Sequence, residues 1–255
     1  MGGNVWRVDL QREGNTTHNT PDYWKVNQVA SLGDGGVGNP RRKFFFPPDV
    51  VPTTTFDAVI AGSGDREHPL SSTATRDRAY VLKDLTGNDG SSLTTIVNGH
   101  LFDATSVAYD AAAAGSGGSP TPNKGYFKDH LAGEKVVNAP LTVAGYTYYG
   151  TNQPSASDSC SANLGIAKGY RLNAQTGAVT YTTYDGGGLP PSPVGGIVNV
   201  TVTGENSPSS VAFCIGCGGD TGCTGSDCDS ALGGAKPTIS VPTSRTRTYW
   251  YQEVD

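Results

Sequence analysis

The segment Leu141–Gly177, LTVAGYTYYGTNQPSASDSCSANLGIAKGYRLNAQTG, contains the pattern on which the rest of the chain is built. It begins with Leu141–Gly150, which is rich in the Val, Thr and Tyr side chains that favour β-strands. After a long polar loop with one cysteine, a second strand is predicted over Ala167–Asn173. The turn Gln175–Gly177 then predicts a third strand, Ala178–Tyr184, that returns beside the second.

A strand with an aromatic residue near its start and Asp or Asn near its end recurs at intervals of about 75 to 90 residues. Three of the four copies follow another apolar strand that ends in glycine, over Phe56–Gly64, Leu141–Gly150 and Ser210–Gly216. The four copies are GNVWRVDL (Gly3–Leu10), RAYVLKDL (Arg78–Leu85), GYRLNAQ (Gly169–Gln175) and RTYWYQEVD (Arg247–Asp255).

Repeated strand pairs with long insertions predict an all-β protein, a partial β-propeller of about three to four blade-like antiparallel sheets. Blades stack face to face, which accounts for near-continuous apolar runs such as Ala58–Ala61 and Val211–Ile215. A β-sandwich is the alternative, but the long and regular spacing favours the propeller. We expect residues 1–255 to form a single domain with a Cys- and Gly-rich loop insertion at 214–236.

The composition also favours β-structure with long turns. Charged residues make up 16% of the 255 residues, and the chain has 35 Gly and 16 Pro, which is unlike a helical bundle. Helical character is confined to Asp103–Ala113. The segment Gly125–Asn138 predicts two short strands around a turn at Ala132–Gly133.

The charge pattern excludes some function classes. The net charge is −5 and the longest basic run is Arg41–Lys43, so a nucleic-acid partner is not expected. No apolar stretch is long enough for a transmembrane segment. Because Met1 is followed directly by strand-like residues, we expect either an intracellular protein or a piece of a longer exported chain whose export signal lies upstream.

Four of the five cysteines lie within fifteen residues that are too polar to form a core, which predicts a disulfide or metal staple. Disulfides are favoured over a Cys₄ zinc site, because the spacing is irregular for a zinc ribbon. Gly218 follows Cys217 where c-type haem attachment needs histidine. Cys160 could reach Cys214, and the other pairings stay open. The disulfide candidates are Cys160, Cys214, Cys217, Cys223 and Cys228.

Asp65, Glu67 and His68 offer metal-binding side chains. Adjacent strand residues point to opposite faces, so we expect instead that Asp65 and Arg66 fix a turn through hydrogen bonds to the backbone. A valine at Gly64 is expected to destabilise that turn if the glycine has a positive φ. Weaker calcium candidates in the Cys-rich insertion, which lack the alternate-position acidic pattern, are Asp220, Asp227 and Asp229.

No catalytic residue is assigned from the sequence. The four histidines, His18, His68, His100 and His130, stand in different loops, where lone histidines are mostly solvated. None accompanies a G-x-S-x-G nucleophile or an H-E-x-x-H zinc motif. The sequence therefore predicts a protein that is not an enzyme.

Several segments, in one order, resemble the C-terminal β-propeller region of the PilY/PilC family of type IV pilus-tip adhesins and assembly factors. The likeness covers nearly the whole chain, and its most specific parts are GSGDREHPL (62–70), GEKVVNAPL (133–141) and GTNQP (150–154). The other segments are GNVWRVDL (3–10), RAYVLKD (78–84), KGYFKDHLA (124–132), CSANLGIAKGYRLNAQTG (160–177), PPSPVGGIV (190–198) and RTRTYWYQEVD (245–255).

The resemblance implies an extracellular or cell-surface protein at the pilus tip, where it supports pilus assembly, binds minor pilins and contacts host or abiotic surfaces. The family's calcium loop would lie upstream of residue 1, so no cofactor is expected within this chain. The resemblance also implies that the remainder of a parent protein is a partner of this region.

Two other functions remain open. A β-propeller also suits an enzyme or electron carrier that binds a quinone or a metal. Unpaired blade faces and strand edges would suit an extracellular structural subunit that assembles with itself.

Overall fold

The structure, a computed structural model, describes residues 2–9, 25–36, 40–71, 75–85, 94–109, 123–143, 145–155, 163–200, 209–217 and 234–235. These ranges consist mainly of β-strands and loops, with a short 3₁₀-helix at Asn98–His100, so the predicted all-β class is confirmed. No helix within them has the length and apolarity to cross a bilayer.

In chain order the strands are β1 (Asn4–Asp9), β2 (Lys25–Ser31), β3 (Asp49–Pro52), β4 (Asp57–Gly62), β5 (Arg78–Asp84), β6 (Ile96–Val97), β7 (Phe102–Asp103), β8 (Gly125–Asp129), β9 (Lys135–Val136), β10 (Leu141–Val143), β11 (Tyr146–Gln153), β12 (Ile166–Asn173), β13 (Val179–Tyr184), β14 (Val194–Val200), β15 (Ser209–Ile215) and β16 (Gly234–Ala235).

These strands form four sheets. The first sheet has the order β1-β2-β6, and the second has the order β3-β4-β5-β8-β7. The third sheet has the order β10-β11-β12-β13, with β9 paired to β11, and the fourth has the order β14-β15-β16. Most neighbours are antiparallel, as expected for blade-like sheets, whereas β6 joins β2 and β7 joins β8 in parallel.

Three of the four repeat copies lie among the described residues and form β1, β5 and β12. The predicted pairing of a copy with the strand before it is confirmed twice, because β4 pairs with β5 and β11 pairs with β12. β13 also returns beside β12 as predicted. The copy at 247–255 lies outside the described residues.

One prediction about a single segment is wrong and another is right only in part. Leu141–Gly150 is not one strand but a hairpin, since Leu141 pairs with Tyr148 across a turn in which Gly145 has a φ of +81°. The helix predicted over Asp103–Ala113 does not begin at Asp103, which ends β7 and pairs with Phe127 on β8, and residues 104–108 are not helical. Tyr109 is helical, and the predicted segment from residue 110 lies outside the described residues.

The second sheet is buried on both faces, as its near-continuous apolar runs predict. Alternate residues of β4 and β5 enter two different clusters. The cluster that faces the third sheet combines side chains of β4 and β5 with side chains of that sheet, namely Ala58, Ile60, Ala79 and Val81 with Val136, Tyr149, Tyr170 and Leu172.

The opposite faces of β4 and β5 pack on the first sheet. This second cluster combines Val59, Tyr80 and Leu82 with Val29, Ala30 and Leu32. The third sheet in turn places Tyr148 against Cys214 and Cys217 beside the fourth.

Tyrosine rings fill the layer between the second and third sheets. The rings of Tyr149 and Tyr170 are stacked with centroids 5.2 Å apart and planes inclined by 4°. Tyr126 on β8 donates hydrogen bonds to the carbonyl oxygens of Asn173 and Ala174, each at 3.1 Å. A tyrosine suits this layer because its ring is apolar while its hydroxyl can bind backbone at the edge.

The second and third sheets approach closely at two glycines. A Cβ atom on Gly62 would lie 2.6 Å from Val136 Cγ1, and one on Gly64 would lie 2.5 Å from the Val136 carbonyl oxygen. Gly64 does not have a φ in the left-handed region, so the expected reason for a glycine there is wrong. Its lack of a side chain is required by the backbone of β9, which lies directly against it.

Replacing Gly64 with alanine should therefore destabilise the fold by about 1–3 kcal/mol, since the backbone of β9 must move to admit the methyl group. Urea unfolding followed by circular dichroism measures the change. Gly99→Ala is the matched control, because Gly99 is exposed and a Cβ atom added there would have no neighbour within 4 Å. Equal stabilities of the two variants would contradict the close-approach explanation.

Candidate functional site

Two of the three most specific sequence motifs, at 62–70 and 133–141, meet at the junction between the second and third sheets. Lys135, which is buried, donates from Nζ to the carbonyl oxygens of Pro69 at 3.2 Å and Gly133 at 2.8 Å. The backbone N–H of Val136 donates to the carbonyl of Ser63 at 3.1 Å. The segment 133–136 therefore holds the turn of the segment 62–70 in place through buried hydrogen bonds.

An ion pair lies next to this junction, inside the third sheet. Glu134 Oε2 lies 3.1 Å from Lys168 Nζ, and the two side chains are 0% and 5% exposed. The other carboxylate oxygen accepts hydrogen bonds from the hydroxyls of Thr151 at 2.6 Å and Tyr170 at 2.8 Å. The carboxylate is thus surrounded by donors from β11 and β12, which is the condition under which a buried charge is tolerated.

The electrostatics of this ion pair favour an ionised Glu134. Burial opposes ionisation, but His130, Lys168 and the hydrogen bonds from Thr151 and Tyr170 outweigh it and lower the pKa of Glu134 below its ordinary value. Burial and the adjacent carboxylate raise the pKa of the Tyr170 phenol, which therefore stays protonated and donates.

His130 is buried between the two sheets, contrary to the expectation that the loop histidines are mostly solvated. Its ring makes edge contacts with Tyr149 and Tyr170, with centroids 5.7 Å and 5.0 Å away. Neither ring nitrogen has a hydrogen-bond partner among the described residues. Burial lowers the pKa of His130 to about 4, so the imidazole is neutral at physiological pH.

Glu, Lys, Tyr and His are the side chains of acid–base catalysis. Here Glu134, Lys168, Tyr170 and His130 are all buried, and Lys168 and Tyr170 both bind Glu134. A catalytic group must touch its substrate, whereas these groups touch the adjoining strands. The hydrogen bonds of Glu134 therefore tie the segment before β9 to β11 and β12.

The turn at Asp65–His68 brings together the three side chains that the sequence analysis expected to diverge. One ligand atom each from Asp65, Glu67 and His68 lies within 4.8 Å of the others, because the segment is a turn and does not alternate as a strand would. However, the side-chain carboxylate of Asp65 binds Lys43 Nζ at 2.5 Å and His68 Nδ1 at 3.3 Å, whereas the predicted hydrogen bonds were to backbone groups. The ammonium group of Lys43 already neutralises this carboxylate, which weakens its attraction for a metal ion. The three side chains are therefore better explained as part of an ion-paired turn.

A cleft of about 330 Å³ opens between the first and second sheets. Arg7 on β1 spans it, with Nε 2.7 Å from Asp9 and Nη1 3.3 Å from Asp57 and 3.2 Å from Asp84. Burial works against the charge, but the bonds to Asp9 and Asp84 outweigh it and raise the pKa of Arg7. Valine side chains and Pro48 line the rest of the cleft. The cleft thus joins apolar walls to charged groups, a combination that ligand sites commonly have.

The remaining predicted site residues are only partly described. Cys214 is bonded to Cys217, and both are buried, so the disulfide prediction is supported at this pair while the possible link from Cys160 to Cys214 is not formed. The calcium candidates and the other cysteines lie outside the described residues and stay predictions: Asp220, Asp227, Asp229, Cys160, Cys223 and Cys228.

Neither the buried Glu134–Lys168 pair nor the group of Arg7 with its aspartates was predicted from the sequence. Lys168 stands in a strand between Ala167 and Gly169, and a lysine in an otherwise buried strand is a signal for a buried partner. Asp57 and Asp84 pair directly across β4 and β5. Opposed like charges require a cation, but only the tertiary structure shows that the cation comes from the first sheet.

The fold is similar to a solved structure, the crystal structure of the Pseudomonas aeruginosa PilY1 C-terminal domain. The match has a TM-score of 0.53 with 15% sequence identity, and it covers 83% of this chain and 54% of that domain. This chain therefore spans about half the length of the solved domain. No protein-family model and no curated protein matches the chain. The likeness supports a PilY1-like fold, with too little identity to transfer residue roles.

Replacing Lys168 with methionine should destabilise the protein by about 3–5 kcal/mol at neutral pH, because it leaves the Glu134 carboxylate buried without its cation. Chemical denaturation measures the loss. The double variant Lys168→Met/Glu134→Gln should recover most of it, since the stranded charge is removed. A double variant as unstable as the single one would show that lost packing, not charge, dominates.

Acidification should destabilise the protein through His130. The pKa of His130 is about 4 in the folded protein against an ordinary value of 6.5. The stabilising effect of a neutral His130 is therefore complete above pH 6.5. It is lost progressively as the pH falls from 6.5 towards 4, because the unfolded chain takes up the proton first. The loss should reach about 2 kcal/mol by pH 5, where Glu134 still contributes little. Urea unfolding at several pH values measures it.

His130→Phe should flatten this pH dependence, because phenylalanine retains the ring contacts and has no titrating nitrogen. His68→Gln is the matched control and should keep the wild-type slope, since the His68 side chain is 65% exposed. Identical slopes in wild-type protein and His130→Phe would refute the assignment.

Proposed function

We propose that this chain is a non-catalytic recognition module of the type IV pilus, which binds minor pilins or a surface through loops carried by stacked β-sheets. The observation that carries the proposal is the fold similarity to the PilY1 C-terminal domain over 83% of the chain. The order of the sequence motifs, which resemble the same family, supports it independently. In this proposal the chain acts outside the cell at the pilus tip.

The proposal includes a propeller architecture. Face-to-face packing of four sheets in chain order, with the second sheet covered on both sides, supports an assembly of stacked blades. The solved domain is nearly twice as long as the matched part, which supports a partial propeller completed by further chain or by a partner. Such a scaffold is rigid, and rigid scaffolds present binding loops effectively.

The buried acid–base groups also support a binding role. The Glu134–Lys168 pair is enclosed in the third sheet and His130 packs on Tyr149 and Tyr170, so the polar residues that most resemble a reaction centre already have a structural role. Calcium binding in the Cys-rich insertion is kept as a proposal, with Asp220, Asp227 and Asp229 as its candidate ligands.

Binding of purified minor pilins tests the proposed function. Tagged chain immobilised on a sensor surface should bind at least one minor pilin reversibly, and untagged chain should compete for it. The major pilin from the same pilus serves as the negative control. Failure of every minor pilin to bind would contradict the pilin-binding role.

Two further measurements on the same preparation test the other hypotheses. A visible absorption band or a stoichiometric metal would favour an enzyme or electron carrier. Concentration-dependent polymers in light scattering would favour a self-assembling subunit.

A further inference from the structure

The cleft between the first and second sheets has apolar walls on both sides. From the first sheet Val5 and Val29 line it, and from the second sheet Pro48, Val50 and Val59 line it. Val50 is 51% exposed, so part of this wall faces solvent at the open side. A ligand that enters would therefore lay an apolar segment against these side chains.

The inner part of the cleft has an excess of negative charge. Among the residues that the structure describes, its lining contains three carboxylates, those of Asp9, Asp57 and Asp84, and one cation, the guanidinium of Arg7. The formal charge of these described lining residues is therefore −2, since three negative charges are offset by one positive charge. Apolar walls lower the local dielectric constant, which strengthens the attraction of this group for a further cation.

The three carboxylates differ in their access to solvent. The Asp84 side chain is 4% exposed and lies deep in the cleft, whereas those of Asp9 and Asp57 are 31% and 35% exposed. Asp57 holds Arg7 through Oδ2 at a long 3.3 Å. Asp9 uses Oδ1 for Arg7 at 2.7 Å and accepts from Asn27 Nδ2 at Oδ2. Asp57 is thus the carboxylate best placed to bind an incoming cation.

We infer that this cleft binds a lysine or arginine side chain of a protein partner. The methylene stem packs on Val50 and Pro48, and the cationic head binds Asp57 and Asp9, so the occupant matches the cleft in both polarity and charge. A bare divalent ion fits less well, because the apolar walls supply no oxygen ligands for it and it has no stem to pack against them. The inference does not depend on the pilus-associated role, which leaves the chemistry of the partner open.

Nuclear magnetic resonance titrations with three blocked tripeptides test the inference. The probes are acetyl-Gly-Lys-Gly-amide, its arginine counterpart and its norleucine counterpart, which has a stem but no charge. The reporter is the indole N–H of Trp6, which lines the cleft and is assigned with Trp6→Phe. Lysine and arginine should give saturable shifts that weaken as NaCl is raised to about 0.3 M, and norleucine should bind at least about fivefold more weakly.

Variants identify the carboxylates. Asp57→Asn should weaken lysine binding by at least about fivefold, and Asp9→Asn provides a second test if that variant does not fold. Asp185→Asn makes the same change of charge after β13 in the third sheet and should leave binding unchanged. Equal binding of norleucine and lysine, no saturable shift, or unchanged binding in both cleft variants would overturn the inference. None of these results would decide whether the chain binds a minor pilin. Likewise, failure to bind any minor pilin would not decide whether the cleft binds a lysine side chain.

Discussion

The structure depends on the burial of both faces of its second sheet. β4 and β5 send alternate side chains in opposite directions, so Val59 and Ile60 belong to different cores although they are neighbours in sequence. The two cores together require both the first and the third sheet. A sheet that is apolar on both sides exposes one apolar face to water when it packs on a single partner. The same constraint explains Gly62 and Gly64, where the absence of side chains lets β9 lie against the end of β4.

Polar groups take part in this packing as fully as apolar ones. Lys135 and Glu134 are adjacent and both buried, yet each is matched by partners from other strands: carbonyl oxygens for the lysine, and Lys168, Thr151 and Tyr170 for the carboxylate. A buried polar group that is fully matched fixes the relative position of the elements that supply its partners, because any shift would leave it unsatisfied. Two of the motifs that carry the family resemblance, at 62–70 and 133–141, thus meet where the second and third sheets join.

This arrangement separates enclosed charged groups from partly accessible ones. The charged groups inside the third sheet are enclosed by the fold, whereas Arg7 and its three aspartates lie in a cleft between sheets with two of the carboxylates partly exposed. The fold similarity to the PilY1 C-terminal domain comes with only 15% sequence identity. Recognition in such a protein is expected to differ between relatives, because loops and clefts vary while the packed framework stays the same.

Local sequence was enough to predict the β class, the strands β1, β5 and β12, the pairing of β4 with β5 and of β11 with β12, and the two-sided burial of the second sheet. The strands follow from composition and residue pattern, the pairings from the order of neighbouring strands, and the two-sided burial from near-continuous apolar runs. All of these signals depend on residues close together in the chain. The packed structure was needed to find the hairpin at Gly145, the strand at Asp103, the burial of His130, and the contacts of Glu134 with Lys168 and of Arg7 with Asp57 and Asp84. These features join residues from different strands, and the energy of a buried charge or a close backbone contact depends on partners that no local pattern specifies.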